Sequence, residues 1–490
     1  MKIAFVGAEV YPFAKTGGLG DVLGSLPRAI QKLDNEVKVF LPKYSMVEND
    51  RFDLSYCWSI GEIPVSVSEH IHIVNVYEAT LPNSSVMVYF IDYPPFFHRH
   101  NLYTNDNDED ERFILFQKAV IQTLQKLKWY PDILHCNDWQ TGLIPLYLKD
   151  NFAWDENFKK TVSVMTIHNI GYQGRFPKES VYKAEIDPAL FYENSPIEVW
   201  GSLCFLKTGL MYADVITTVS ETYAKEAMSP GYGEGLDGVL QYRKDDFYGV
   251  LNGVDYAVWD TTKDRHIPYH YSADDLSGKY KNKEYLIKYA KLPYRENVPL
   301  IGIISRLVEQ KGFDVFRDAA YDLLSHDVQW IILGSGEKHF EDLFKALAYS
   351  YPDKVYAYIG YSNEMSHLIE AASDMFFMPS RYEPCGLNQI YSLRYGTVPL
   401  VRKTGGLADT VKDWDEHYSQ GFETATGFSF NDLDPYALSS TLHRAVSNYH
   451  NKAVWNKIIQ NGMKEDFSWE RSASRYMEIY KEAVKKKTVL

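Results

Sequence analysis

An α/β fold built from two Rossmann-like domains is predicted by three features of the sequence. Short apolar runs alternate with helix-length segments along the chain, the alternation resets near the middle, and 490 residues exceed one ordinary core. The first half offers KIAFV, EVKVFLP, SVMVYFID, DILHCND, VSVMTIHN and DVITTVS as strands. The second half offers PLIGIISRL, VQWIILGSG, KVYAYIGY, DMFFMPS and TVPLVRK. Uninterrupted apolar runs suit parallel strands covered on both faces. The reset spans Phe247 to Asp260, with a polar stretch from Arg265 to Lys283 behind it. The domains are therefore placed at 1–247 and 248–469. Ligands of such sheets bind beyond the carboxyl ends of the strands. The site is expected in a deep cleft across which the two domains face each other.

Composition narrows the function. Hydrophobic content of 45% with 24% charged residues is that of a globular chain. A formal charge of −14 argues against a nucleic-acid partner, because phosphate backbones bind basic faces. An anionic substrate would have to be met by local cations. Cys57, Cys136, Cys204 and Cys385 show neither a CxxC pair nor a disulfide framework, which points to a reducing compartment. No signal-like leader and no bilayer-length apolar run is read, so a cytoplasmic enzyme without a membrane partner is expected. The acidic stretch Asn105 to Glu111 reads as a solvated loop, with a metal site as the minor alternative.

The first strand runs into a glycine loop carrying Lys15, Gly17, Gly18 and Gly20, and Val22 to Leu33 follows at helical spacing. Backbone N–H groups at a helix start suit a phosphate, and the Lys15 ammonium can neutralise it. A plain strand-to-helix connector is the bland alternative. The loop is neither a P-loop nor GxGxxG. Further on, HCNDWQTG puts Asp138 at a strand end and TIHNIGYQG does the same for His168. A lone His is more often structural than catalytic. Asn252, in LNGVD, lies near the domain junction.

In the second half, SRLVEQKG puts Arg306 and Lys311 just past a strand, two cations on an acidic chain. Tyr361 ends the strand of YIGYSNE. The segment PSRYEPCGLNQ follows the strand DMFFM. Cys385, Gly386, Leu387 and Asn388 would present backbone N–H groups at a helix start, with the Glu383 carboxylate just before them. An N-capping glutamate is the alternative for Glu383. No base is evident beside Cys385, so its thiol is not read as a nucleophile. KTGGLADTV at Lys403 to Val411 nearly repeats the first glycine loop.

KTGGLGDV, HCNDWQTG, TIHNIGYQG, LNGVD, SRLVEQKG, SRYEPCGL and RKTGGLADTV together resemble the glycogen synthase and starch synthase family of retaining glycosyltransferases, in order and spacing. The resemblance is closest to the bacterial type and covers essentially the whole chain. It implies a GT-B architecture in which the last helix, 470–490, completes the first domain. It implies transfer of glucose from ADP-glucose to the non-reducing end of glycogen or another α-1,4-glucan, with no cofactor and no metal. By motif, Lys15 and Gly18 would contact the donor diphosphate, and Arg306 and Lys311 would neutralise it. Leu387 and Asn388 would offer N–H groups to the phosphates, and Tyr361 would stack on the adenine. Glu383, Cys385, Gly386, His168 and Asn252 would surround the donor glucose, with Asp138 near the reaction centre. Tyr391 stands where wider relatives carry a second Glu. Phe97 stands where some bacterial members have Tyr, so no hydroxyl contact is expected there. UDP-glucose as donor, and a non-catalytic glucan-binding relative, are the alternatives. Glu383 as nucleophile or as orienting group stays open.

Overall fold

The structure is a computed structural model that describes residues 1–419 and 423–489. The chain divides into two compact units, Met1–Gly253 with Trp469–Leu490, and Val254–Ser468. Among the described residues no helix is long and apolar enough to cross a membrane. The four cysteines are buried and no disulfide joins them.

The first unit contains β1 (Lys2–Val6), β2 (Glu36–Pro42), β3 (Ser55–Tyr56), β4 (Ile63–Val67), β5 (His70–Thr80), β6 (Met87–Asp92), β7 (Ile133–Asn137) and β8 (Val162–Ile167). After them come β9 (Arg175–Phe176), β10 (Glu198–Val199), β11 (Ser202–Cys204), β12 (Val215–Thr218) and β13 (Phe247–Gly249). The main sheet has the order β13-β12-β8-β7-β1-β2-β6-β5-β3, with β4 on β5. From β13 to β6 all pairs are parallel. Their strands are mostly buried, as parallel strands covered on both faces are, and Ile3 to Val6 are fully buried. The edge departs from the all-parallel expectation. β3, β4 and β6 each pair with β5 antiparallel. β4 alternates buried and more exposed residues, as a sheet edge with one wet face requires. Its turn uses Ser68 at φ 56°, the sign a two-residue hairpin demands.

The second unit has one parallel sheet made of β14 (Leu300–Leu307), β15 (Gln329–Gly336), β16 (Val355–Ile359), β17 (Met375–Met378), β18 (Val398–Arg402) and β19 (Phe428–Phe430). Its order is β16-β15-β14-β17-β18-β19. Both sheets change direction at their first strand: β1 lies between β2 and β7, and β14 between β15 and β17. Crevices at such switch points are where open α/β sheets hold ligands.

The division falls after Gly253 rather than at 247/248. Val250 N–H still bonds to Thr218 O (2.8 Å), continuing the β12–β13 ladder. Gly253 then passes so close to Trp469 that an added Cβ would lie 2.6 Å from that residue's backbone. The last helix, Trp469–Val489, lies on the first unit. Tyr480 Oη is 2.6 Å from His135 Nδ1, Lys487 Nζ is 2.8 Å from Asp214 Oδ2, and Ser472 Oγ donates to Leu251 O.

Residues 105–111 are a solvated loop only in their first part: Asn105 to Asn107 are exposed, whereas Glu109 and Asp110 are buried. They lead into the helix Glu109–Leu127, where acidic groups favour the positive end of the helix dipole. Their charges are paired by residues outside the stretch. Arg99 holds Asp106 and Asp108, Lys183 holds Asp110 and Glu111, and the fully buried Arg112 holds Glu109. Phe97 is fully buried, edge-on to Tyr44, so its ring belongs to the core.

Candidate functional site

In the first unit the switch crevice lies beyond β1 and β7, and both strand ends carry predicted residues. The helix after β1 starts at Gly18, so Gly18 and Gly20 sit in its first turn rather than in the loop before it. Four glycines there have different reasons to be glycine. A Cβ on Gly20 would meet the Lys15 stem at 2.9 Å, and one on Gly24 would meet Tyr11 O at 2.6 Å. Those two let the loop lie flush on the helix. A Cβ on Gly17 or Gly18 would meet nothing within 4 Å, and neither residue has a positive φ. Nothing in the chain itself requires glycine at 17 and 18, which is what close approach by a ligand would leave. Lys15 Nζ beside them is held 2.7 Å from Asp21 Oδ1.

Asp138 follows β7 with φ 58° and ψ −179°, a backbone region kept almost entirely for glycine. Its Oδ1 accepts the His168 N–H at 2.7 Å, which ties the ends of β7 and β8. His168 Nε2 lies 2.9 Å from Asn137 Oδ1, while the Asn137 amide nitrogen donates to Val6 O and His135 O. The Asn137 oxygen is thus an acceptor, and His168 must carry its proton on Nε2 and a bare lone pair on Nδ1. Burial pushes the His168 pKa down to about 3, so the ring is neutral at ordinary pH. Asn252 is buried, and its Oδ1 lacks a hydrogen-bond partner among the described residues.

Burial raises the Asp138 carboxyl to about 7, the His168 N–H opposes this, and the Glu9 charge adds to it. A folded-state value above the ordinary 3.8 means that the folded chain binds this proton more tightly. The stabilisation is complete below about pH 4 and is lost as pH rises through about 7. Denaturant titrations of wild type and Asp138→Asn at about pH 5 and pH 8 should show the wild type losing stability relative to the variant at the higher pH. An unchanged difference would remove this account of Asp138.

In the second unit the crevice lies beyond β14 and β17. Arg306 is the penultimate residue of β14, inside the strand rather than past it, and is exposed, with no hydrogen bond or ion pair from its side chain among the described residues. Lys311 Nζ donates to Glu383 Oε2 at 2.6 Å, and Ser380 Oγ donates to the same oxygen at 3.0 Å. An ammonium has three donors, so Lys311 keeps two beyond this bond. The Glu383 carboxylate is buried and is no N-cap: the following helix begins at Asn388, capped by Leu387. Asn388 Nδ2 donates to Ile304 O at 2.7 Å, anchoring that helix to β14. Gly386 has φ 69°. Tyr361 is 81% exposed beyond β16, its ring open for stacking.

Glycines fix the Glu383 loop. Gly312 (φ 75°) would place a Cβ 1.9 Å from Pro379 O. In the second KTGG copy, Gly405 (φ 46°) and Gly406 would place one 1.9 Å from Glu383 O and Cys385 O respectively. Gly406 N–H also donates to Glu383 O at 3.1 Å. The repeat therefore braces the backbone that carries Glu383. Tyr391 belongs to an aromatic stack, its ring 3.7 Å from Trp259, which lies 3.8 Å from His367 on the other side.

Sequence reasoning missed Glu9, Tyr103 and Ser380. Glu9 is the residue at the centre of the first crevice's hydrogen bonds, and a lone carboxylate inside the apolar run GAEVYPFA was its signal.

Two family models match the chain: "Starch synthase catalytic domain" over residues 2–242 and "Glycosyl transferases group 1" over residues 286–464. The chain is 43% identical over 488 residues to a glycogen synthase of Thermosipho melanesiensis, covering 99% of this chain and 100% of the relative. It is 44% identical over 492 residues to that of Thermosipho africanus, with the same coverage. Among solved structures, the catalytic domain of starch synthase IV from Arabidopsis thaliana bound to ADP and acarbose superposes with a TM-score of 0.91 at 32% identity, over 99% of each chain.

Proposed function

We propose, for a chain that belongs to the glycogen and starch synthase family of GT-B glycosyltransferases, that it transfers glucose from ADP-glucose to the non-reducing end of an α-1,4-glucan with retention of configuration. The observation that carries this reading is the grouping beyond β14 and β17: Arg306 unpaired at one strand end, and Lys311 bonded to the buried Glu383 at the other. Breaking the bond between an anomeric carbon and a diphosphate puts positive charge on the sugar and negative charge on the leaving group. Fixed cations stabilise the latter without solvent reorganisation, and a carboxylate beside the ring stabilises the former.

The residues take these roles in the proposal. Arg306 and Lys311 neutralise the departing diphosphate, together with the N–H groups of Leu387 and Asn388. Lys15 and Gly18 contact the same diphosphate, and Tyr361 stacks on the base. Glu383, Cys385, Gly386, His168 and Asn252 surround the glucose, with Asp138 close to the reacting carbon. Glu383 orients the sugar while the acceptor hydroxyl attacks on the face the phosphate leaves. His168, neutral with a bare Nδ1, accepts a sugar hydroxyl proton in a hydrogen bond rather than supplying a proton.

Incubating the protein with glycogen and either ADP-glucose or UDP-glucose, and following nucleoside diphosphate release, tests the reaction and the donor. Faster turnover of ADP-glucose is expected, with α-configured product by proton NMR. Release without glycogen elongation, a preference for UDP-glucose or a β-linked product would each refute the corresponding part. The proposal includes no cofactor and no metal ion, since Arg306, Lys311 and Lys15 supply the positive charge. Exhaustive dialysis against EDTA should leave turnover within about twofold of the untreated enzyme, because side-chain cations are not removed by a chelator. A large loss restored by Mg²⁺ would contradict this.

A further inference from the structure

The first glycine loop is held from below by a buried carboxylate. Glu9, 4% exposed, accepts the Thr16 N–H at 2.6 Å, the Thr16 hydroxyl at 2.7 Å, the Gly17 N–H at 2.9 Å and the Tyr103 hydroxyl at 2.7 Å. All four partners are donors, so both oxygens serve only as acceptors. Burial, and then the Glu9 charge, push the Tyr103 phenol well above its ordinary value, which keeps that hydroxyl a donor. Two of the loop's N–H groups therefore point inward and are already used. The outer face is left to Lys15 and to the open space above Gly17 and Gly18.

The second KTGG copy turns its backbone toward other partners. Thr404 N–H donates to Arg402 O and Gly406 N–H to Glu383 O. Identical residues thus sit in different surroundings, and Glu9 is the carboxylate beneath the first copy. Gly20 is part of the same construction. A Cβ there would press on Lys15 at 2.9 Å and reach Glu9 Oε2 at 3.4 Å.

We infer that Glu9, with Tyr103, is a positioning residue that presets the Lys15–Gly18 loop for the donor's diphosphate. It touches no substrate. It fixes the loop so that the Gly18 N–H and the Lys15 ammonium stand ready for the phosphates without reordering on binding, which lowers the entropic cost of binding. An inward carboxylate also keeps the Thr16 and Gly17 N–H groups from turning outward, so the loop offers one geometry to an anion instead of several.

This inference rests on the reading of the loop as a diphosphate site. The test compares ADP with adenosine as competitive inhibitors of the full-length enzyme, in wild type, Glu9→Gln and Tyr103→Phe. A carboxamide at position 9 turns one acceptor into a donor facing donors. ADP should weaken about tenfold or more in Glu9→Gln, with donor KM rising in parallel. Adenosine should change by less than about twofold, since the base and ribose do not meet this loop. Tyr103→Phe removes one of the four bonds and should shift the ADP-to-adenosine ratio the same way by about threefold. Tyr103→Phe decides alone if Glu9→Gln does not fold. Equal weakening of both ligands would make Glu9 merely structural and overturn the inference, as would no change in either. A wild type that fails to turn over nucleotide sugar refutes the proposed function. An active wild type whose phosphate discrimination survives both substitutions refutes the role of Glu9.

Discussion

Arg306→Ala should lower turnover by roughly 100- to 1,000-fold, the usual loss when one fixed group that stabilises developing charge is removed. The fold should be almost untouched, because Arg306 is exposed near the end of β14 and its side chain holds no partner among the described residues. Exposed, unpaired cations contribute little to stability. The pairing of large kinetic loss with small stability loss is the signature to measure, by kcat and by thermal unfolding of the same preparation. Folded Arg306→Ala with nearly full activity would remove the leaving-group role. Arg306→Lys should recover only part of the loss, since an ammonium lacks the planar fork that grips two phosphate oxygens.

Glu383→Gln should reduce kcat by about 100-fold or more while donor KM moves by less than about threefold. The reasoning begins with burial. Glu383 is 7% exposed and bonded to Lys311 and Ser380, so its charge stands in a site with little water to screen it. A carboxamide keeps the shape and loses the charge that favours the cationic sugar of the transition state. Ground-state binding, dominated by the diphosphate, changes little. A rise in KM with kcat preserved would mean that the residue holds substrate and transition state equally. Lys311 and Glu383 share a bond, so their substitutions should combine non-additively, and the double variant should be less impaired than the product of the singles. A glucosyl adduct on Glu383 that turns over competently, seen by mass spectrometry, would replace same-face attack by double displacement.

The parallel strands were legible because burial on both faces writes itself as continuous apolar runs, as in Ile3 to Val6 and Met375 to Met378. The β4–β5 hairpin was not, since IPVSV and HIHIVNV mix polar positions in and lack the glycine or asparagine that would mark their turn. Asp108 to Glu111 read as solvent-facing because their partners, Arg99, Arg112 and Lys183, are known only once the chain has folded. At the sites, strand-end position pointed to Asp138, His168, Arg306 and Glu383 without any view of their contacts. The strained backbone of Asp138, the bond from Lys311 to Glu383 and the four donors around Glu9 are tertiary facts. The two KTGG segments show the limit most clearly. Their sequences agree almost completely, and only their neighbours make one a platform with an open face and the other a brace.

The last helix has a consequence for synthesis. Trp469–Val489 supplies Tyr480 to His135 and Lys487 to Asp214, residues made more than half a chain earlier. The second unit is continuous in sequence, Val254–Ser468, so all of its residues are made before that helix is. At about 5–20 residues per second, the first sheet waits on the order of tens of seconds on the ribosome for its final helix. Translation therefore completes the two units in reverse: the half begun first is sealed last, and during that interval the apolar surface under Tyr476 and Tyr480 is open to chaperones and to neighbouring nascent chains.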